Sequence, residues 1–356
     1  MKILFIIPRP NVGGLQTSSR SRINALRSKG IEAEVLFFSQ GDGAYIFKDI
    51  PHFYVNNANQ FKLIVSENNY DFISFIYSLK YINDLPEDFE GKVLYEVRGW
   101  SSSVIQGLNQ ALKSQSVDAV ICIAKYLESR VKAKVKDKIP IFVDGNTVDP
   151  MFNSLRSTTS TKWTDCPKPL GKRKIIAFIG RVDNSKNWKE FVNICYFISL
   201  NYKIELWFIC NPNNSKCLNQ MLIKTTKLNL HTITRVISNV HNDKMPTVYS
   251  VINASGGYVL STSLREGLGN GILEPMACGC PVVSSNVPGK NEIITHNYNG
   301  LLYETGNIKE AVKYIKCLMF NKKKRIKIIK NALKTIKSEY AQEKYVFRYL
   351  DILSKI

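Results

Sequence analysis

Long apolar runs and CxxC cysteine pairs are missing from this 356-residue sequence, and acidic side chains are outnumbered by basic ones. No apolar stretch approaches the roughly 18 residues needed to span a bilayer. The start, Met1-Lys2-Ile3-Leu4-Phe5-Ile6-Ile7, stays apolar for five residues and then meets Pro8, Arg9 and Pro10. Without a small-residue cleavage site, it reads as a buried first strand rather than a signal peptide. Eight cysteines occur, none in a CxxC pair, and only four histidines accompany them. That argues against a zinc site and against a disulfide framework, so reduced thiols in a cytoplasm are expected. No repeat of solenoid period is present. Nor is there a helix-turn-helix, zinc-finger or RNP-like aromatic motif, which leaves nucleic acid unsupported as a partner.

Acids number 29 against 49 lysines and arginines, a net charge of +20. Such a field favours anionic partners: phosphorylated substrates, acidic lipids or polyanions. Enrichment in Lys, Asn and Ile, the signature of an AT-rich coding sequence, explains the same number without a partner. The apolar fraction of 44% is that of a globular chain. The length suits two domains of about 150 residues better than one core.

Strand and helix signals alternate through the first half. Strands are expected at 2–7, 31–38, 72–76, 92–97, 118–123 and 140–143, and helices at 17–29, 102–113 and 124–136. Residues 153–173 carry Ser, Thr, Pro, Lys and Gly with little periodicity and read as a connection. Alternation then restarts, with strands at 174–180, 203–210, 257–262 and 281–285 and helices at 187–200 and 270–279. The tail, 306–356, reads as helical, and 321–338 is strongly basic. The expected class is α/β: two doubly wound parallel sheets, a first domain over 1–165 and a second over 166–338. Residues 339–356 would form a helix packing back on the first domain. Ligands of such sheets sit beyond the carboxyl ends of the strands, so two facing domains would share one cleft.

Three segments can carry chemistry. Pro10-Asn11-Val12-Gly13-Gly14 links the first strand to a helix. Paired glycines let the backbone approach a ligand, and the helix start offers N–H groups to a phosphate. A plain turn would look the same. Gly180-Arg181-Val182-Asp183-Asn184-Ser185-Lys186-Asn187 also follows a strand. Arg181 and Lys186 can clamp a diphosphate, Arg as a fork and Lys as a point charge, or they are solvated loop charges. The third segment is Arg265-Glu266-Gly267-Leu268-Gly269-Asn270-Gly271-Ile272-Leu273-Glu274. Continuous helix would put the two glutamates about 80° apart around the axis, on no common line. A loop opening into a helix is the better reading. It places Glu266 beyond the strand and Glu274 on the first turns, each carboxylate suited to a pair of sugar hydroxyls. Three alternating glycines exceed what a helix cap requires.

The third segment resembles retaining glycosyltransferases of family 4, which have the GT-B fold. Their Glu-x7-Glu signature is matched by Glu266 and Glu274, and the resemblance runs on through Pro275-Met276-Ala277-Cys278-Gly279-Cys280-Pro281-Val282-Val283. Gly180-Arg181 through Lys186 is similar to the family's diphosphate clamp, Gly13-Gly14 to its N-terminal glycine loop, and 146–152 to the stretch closing its first domain. The resemblance implies that Arg181 and Lys186 neutralise the donor diphosphate and act with Glu266 as the catalytic group. It implies that Glu274 holds the ribose, and that Glu266 with the backbone of Gly267, Leu268, Gly269 and Asn270 holds the donor sugar, beside Gly13 and Gly14. No Asp-x-Asp occurs, in keeping with an enzyme that needs neither metal nor cofactor. The donor phosphate would take the acceptor's proton. The implied reaction moves a hexose or N-acetylhexosamine from a nucleotide-diphosphate sugar, UDP favoured over GDP, to a cell-surface glycan or lipid-linked acceptor.

One departure stands out. Many relatives carry a histidine after the strand equivalent to 92–97, where this chain has Arg98-Gly99-Trp100. Arg98 is a candidate for an acidic acceptor or the donor sugar, or a structural partner of Glu96. Trp100 is a candidate for stacking on a sugar, or a core residue. The basic helix 124–138 (Lys125, Arg130, Lys132, Lys134, Lys136, Lys138) is either a solvated face or a contact to acidic membrane. The expected location is the cytoplasm, with peripheral attachment to the inner face of the membrane if that helix face makes the contact. The competing readings are a catalytically inactive glycosyltransferase-like binding protein and a GT-B epimerase or phosphorylase.

Overall fold

The computed structural model describes residues 1–152 and 166–356, and the chain divides into two compact units. The first comprises Met1–Thr147 with Tyr340–Ile356, the second Val148–Glu339. The boundary expected at 165, and most of the connection read over 153–173, lie outside the described residues.

In the first unit, the chain runs β1 (Lys2–Ile7), α1 (Gly14–Arg27), β2 (Glu32–Phe37), β3 (His52–Tyr54), α2 (Ala58–Asn68) and β4 (Phe72–Ile76). It continues through β5 (Lys92–Val97), α3 (Ser102–Ser114), β6 (Ala119–Cys122), α4 (Lys125–Val135) and β7 (Ile141–Val143). The sheet order is β3-β2-β1-β4-β5-β6-β7, all parallel. Ile3 through Ile7 are wholly buried, as a strand covered on both faces requires. Helix starts are set by side chains: Asn57 Oδ1 accepts from Gln60 N at 2.9 Å, and Ser101 Oγ from Val104 N at 3.4 Å.

The second unit holds β8 (Lys174–Ile179), α5 (Trp188–Ser199), β9 (Ile204–Cys210), α6 (Leu218–Lys227), β10 (Thr234–Ser238) and α7 (Met245–Ala254). Then come β11 (Tyr258–Ser261), α8 (Asn270–Ala277), β12 (Val282–Ser285), β13 (Leu301–Tyr303), α9 (Ile308–Phe320) and α10 (Lys322–Thr335). Its parallel sheet has the order β10-β9-β8-β11-β12-β13. The doubly wound α/β architecture expected from the alternation is therefore present twice. Among the described residues no helix is long and apolar enough to cross a membrane.

The tail is not one helix. A π turn over Ile336–Tyr340 ends α10, and α11 (Gln342–Leu353) belongs to the first unit and packs on α1. A buried ion pair seats it. Arg22 of α1 donates to both oxygens of Glu96 on β5, at 2.7 and 2.9 Å, and its Nε to Tyr345 Oη at 3.1 Å. Ser74 Oγ adds a fourth bond, to Glu96 at 2.8 Å. Burial alone would raise the Glu96 carboxyl, but Arg22 and Arg98 hold it below its ordinary value.

Candidate functional site

β8 and β11 are neighbours at the centre of the second sheet, and the chain leaves them in opposite directions, toward β9 and β12. Loops at such a switch point diverge and leave room beyond the strand ends. The two loops are those carrying Arg181 with Lys186, and Glu266.

Backbone and side chains lock the loops together. Leu264 N donates to Ser185 O at 2.9 Å, and Thr262 Oγ1 to the carbonyls of Lys186 and Asn187 at 2.8 and 3.1 Å. Asp183 Oδ1 accepts from Lys186 N at 3.0 Å and from Ser185 Oγ at 2.6 Å, which shapes the turn. Lys186 Nζ then reaches Glu266 Oε2 at 2.7 Å, each side chain 22% exposed. Burial works to raise the Glu266 carboxyl, but Lys186, Lys290 and a hydrogen bond from Ser263 hold it below the ordinary range. Arg181 is more open, 59% exposed, with Nε 3.4 Å from Asp183.

Two glycines allow the Glu266 loop its path. A Cβ on Gly269 would lie 2.8 Å from Glu266 Cγ. Gly289 has φ +86°, and a Cβ there would fall 2.0 Å from the carbonyl oxygen of Gly267. The turn after β12 is thus the floor of the loop. Gly269 caps α8, whose first turn holds no acidic residue, so no side-chain carboxylate of that turn offsets the positive end of the helix dipole. Leu268 is buried.

Glu274 sits on α8 and accepts a hydrogen bond from Tyr249 Oη of α7 at 3.0 Å. Burial pushes its carboxyl up to about 8, with Asp149 adding to the rise and the Tyr249 bond opposing it. Beyond the carboxyl end of β10 lies a recess of about 420 Å³, lined by residues 237–241, Asp243 and Lys244. It opens at the start of α7, the helix that carries Tyr249.

The remaining candidates belong to the first unit. Gly13 caps α1 in an extended conformation, and a Cβ on Gly14 would meet open space. Their loop is braced by Asp42, which accepts from Val12 N at 3.0 Å, and by Gly43 N, which donates to Pro10 O at 2.7 Å. Arg98 is buried just past β5. It donates to Asn146 Oδ1 and lies 3.4 Å from Glu96, the pairing set out above as its structural alternative. Trp100 is half-buried, with the Arg130 guanidinium 5.7 Å from its ring centroid. On α4, Lys132 pairs with Glu128 at 2.9 Å.

Sequence reasoning missed Lys290, Tyr249 and the recess. Lys290 carried a readable signal: it follows a strand and a Pro-Gly turn, the placement that singled out Arg181. Tyr249 had none, because its role comes from a helix–helix contact.

Residues 162–335 match the family described as glycosyl transferases group 1, so this segment is a glycosyltransferase group 1 domain. The capsular polysaccharide biosynthesis glycosyltransferase CapM of Staphylococcus aureus is 22% identical over 70% of this chain and 67% of its own length. The uncharacterized glycosyltransferase MJ1178 of Methanocaldococcus jannaschii is 22% identical over 64% of this chain, which spans only 57% of that relative. Among solved structures, Anabaena HepE in complex with UDP and glucose superposes with a TM-score of 0.81 at 18% identity, covering 100% of both chains. TarM gives a TM-score of 0.80 at 12% identity over 98% of both. These likenesses establish a GT-B-type fold of two Rossmann-like domains.

Proposed function

We propose that the chain transfers a hexose or N-acetylhexosamine from a nucleotide-diphosphate sugar to a glycan or lipid-linked acceptor, with retention of anomeric configuration. One observation carries the reading: Lys186 and Glu266 meet at 2.7 Å at the switch point of the second sheet, beside the exposed Arg181 and the start of α8. The donor's base takes the recess beyond β10, its ribose the Glu274 carboxylate, and its diphosphate Arg181, Lys186 and the α8 N-terminus. Glu266 and the backbone of 267–270 take the sugar. Gly13 and Gly14 keep the donor-binding role that the resemblance gives their loop.

In the reaction the bond from the anomeric carbon to the diphosphate oxygen breaks, and a bond to the acceptor oxygen forms on the same face. The acceptor's proton passes to the departing phosphate. Negative charge grows on the leaving group, where the two cations and the helix start stabilise it. The chemistry therefore asks for no metal. Trp100 is the sugar-stacking candidate for the acceptor, while Arg98, held by Glu96 and Asn146, orders the loop that presents it. UDP is favoured over GDP, in keeping with the UDP named in the HepE complex. CapM's part in capsule synthesis supports an acceptor in a surface polysaccharide. An acidic membrane is the proposed surface contact, supported by α10, where Lys322, Lys323 and Lys327 are exposed beside Ile326 at 55%.

The test is thermal stabilisation of the full chain by UDP, GDP and dTDP and their sugars. A rise in melting temperature with UDP compounds first is expected. No shift with any nucleotide sinks the reading.

A further inference from the structure

Lys290 is wholly buried beneath the Glu266 loop. Its Nζ donates three hydrogen bonds: to Ser261 O at 3.2 Å, Ser263 O at 3.1 Å and Ser285 Oγ at 2.8 Å. Ser285 Oγ passes its own proton toward Ser263 O at 2.9 Å. Three donated bonds need three N–H groups, which only the ammonium form supplies. They pin the ends of β11 and β12, between which the Glu266 loop emerges.

All three acceptors are neutral, so the charge is balanced through space. The charged groups that face it are Glu266 and Lys186 on the site loops and Glu190 on α5. Glu190 is already engaged, accepting from Asn187 Nδ2 at 2.6 Å, Tyr303 Oη at 2.8 Å and Gly306 N at 3.2 Å. Glu266 is therefore the counter-charge that remains adjustable. Burial pushes the Lys290 ammonium down to about 7, and Glu266 works in the opposite direction. The coupling is mutual, since Lys290 is one of the cations that keep Glu266 low.

Lys186 has two duties under the proposed function: it pairs with Glu266 at 2.7 Å, and it faces the diphosphate when donor is bound. A phosphate drawing Lys186 away leaves Glu266 dependent on another cation. We infer that Lys290 is a positioning residue that anchors the Glu266 loop and keeps the Glu266 carboxylate ionised once Lys186 turns to the diphosphate. It touches no substrate. Its anchoring stands on the three hydrogen bonds that tie it to the ends of β11 and β12, and the charge it shares with Glu266 adds to that geometry; its role in turnover rests on the donor reading.

The experiment separates the two. In the full chain carrying Lys186→Met, the Glu266 carboxyl is titrated by 13C NMR, its signal assigned by loss in Glu266→Gln. The midpoint should stay within or below the ordinary carboxyl range. Adding Lys290→Met should raise it by about one unit or more, and Lys290→Arg should bring it back down. Lys290→Gln gives the same comparison if the methionine variant does not fold. In otherwise wild-type protein, Lys290→Met should lower kcat about tenfold, change the donor KM less than about threefold, and move the acid limb of the kcat profile upward. Equal midpoints with and without the lysine charge overturn the inference, as does a lowered melting temperature with an unmoved acid limb. A chain that binds no nucleotide sinks the donor reading while the carboxylate titration still decides the coupling.

Discussion

Lys186 Nζ and Glu266 Oε2 lie 2.7 Å apart although 80 residues separate them in the chain. Leu264 N bonded to Ser185 O, and Thr262 Oγ1 to the carbonyls of Lys186 and Asn187, fix the two loops against each other, so the fold itself sets the pair. Removing either partner should have distinct effects. Lys186→Ala and Arg181→Ala should each weaken donor binding about 10- to 100-fold, the worth of a charge-assisted hydrogen bond to phosphate. Glu266→Ala should lower kcat by a similar factor with a smaller change in UDP affinity. Calorimetry with UDP beside initial-rate kinetics distinguishes these patterns.

Glu274 gives a pH signature. Its buried carboxyl is pushed up to about 8, yet holding a ribose requires the ionised form. Nucleotide affinity should therefore rise with pH, with about a tenfold gain between pH 7 and pH 9 as the competent fraction grows. Stability should move the other way. A carboxyl raised on folding contributes stability below its unfolded value near 4.5, lost as pH climbs through about 8. Glu274→Gln should flatten both curves: UDP affinity low at every pH, and a melting temperature above wild type at pH 9. Melts and UDP titrations across pH 6–9 check both signs.

The Arg22–Glu96 pair is buried on both sides and joins α1 and β5, with Tyr345 of α11 bonded to the same guanidinium. Breaking it by Glu96→Ala leaves an unpaired buried cation and should cost about 3–5 kcal/mol. Denaturant unfolding should show the loss in the first unit, while UDP affinity of any folded fraction changes little.

If α10 meets acidic lipid, sedimentation with vesicles containing phosphatidylglycerol should pull the chain down at low salt, and neutral vesicles should not. Lys322→Gln with Lys323→Gln and Lys327→Gln should lower the bound fraction several-fold, and salt should do the same. Equal binding by wild type and triple variant would remove α10 from that role.

The two parallel sheets were legible because their central strands are unbroken apolar runs; β1, β4, β5 and β9 fall where the pattern put them. Of the short edge strands only β7 was read, at 140–143. β3 and β13 have three residues each, and half-buried β10 mixes Thr, Arg and Ser with its apolar positions, so none shows a period. α7 begins at Met245-Pro246, where proline at the helix start resembles a loop signal. In the site, residues in recognisable loops (Arg181, Lys186, Glu266) could be read from strand ends and glycines. Lys290 shared their strand-end signal and was passed over, whereas Tyr249 could not be weighed, because its meaning depends on a helix–helix contact with Glu274. The tail read as helical, but the π turn at Ile336–Tyr340 that separates α10 from α11 leaves no break in composition.

The most direct test is nucleotide release by the purified full chain from UDP-, GDP- and dTDP-sugars, with EDTA present and with Glu266→Ala as the paired control. The account predicts release from at least one UDP-sugar, undiminished by EDTA and reduced about 10- to 100-fold by the substitution. Absence of release from every donor, or equal release by wild type and variant, would contradict it.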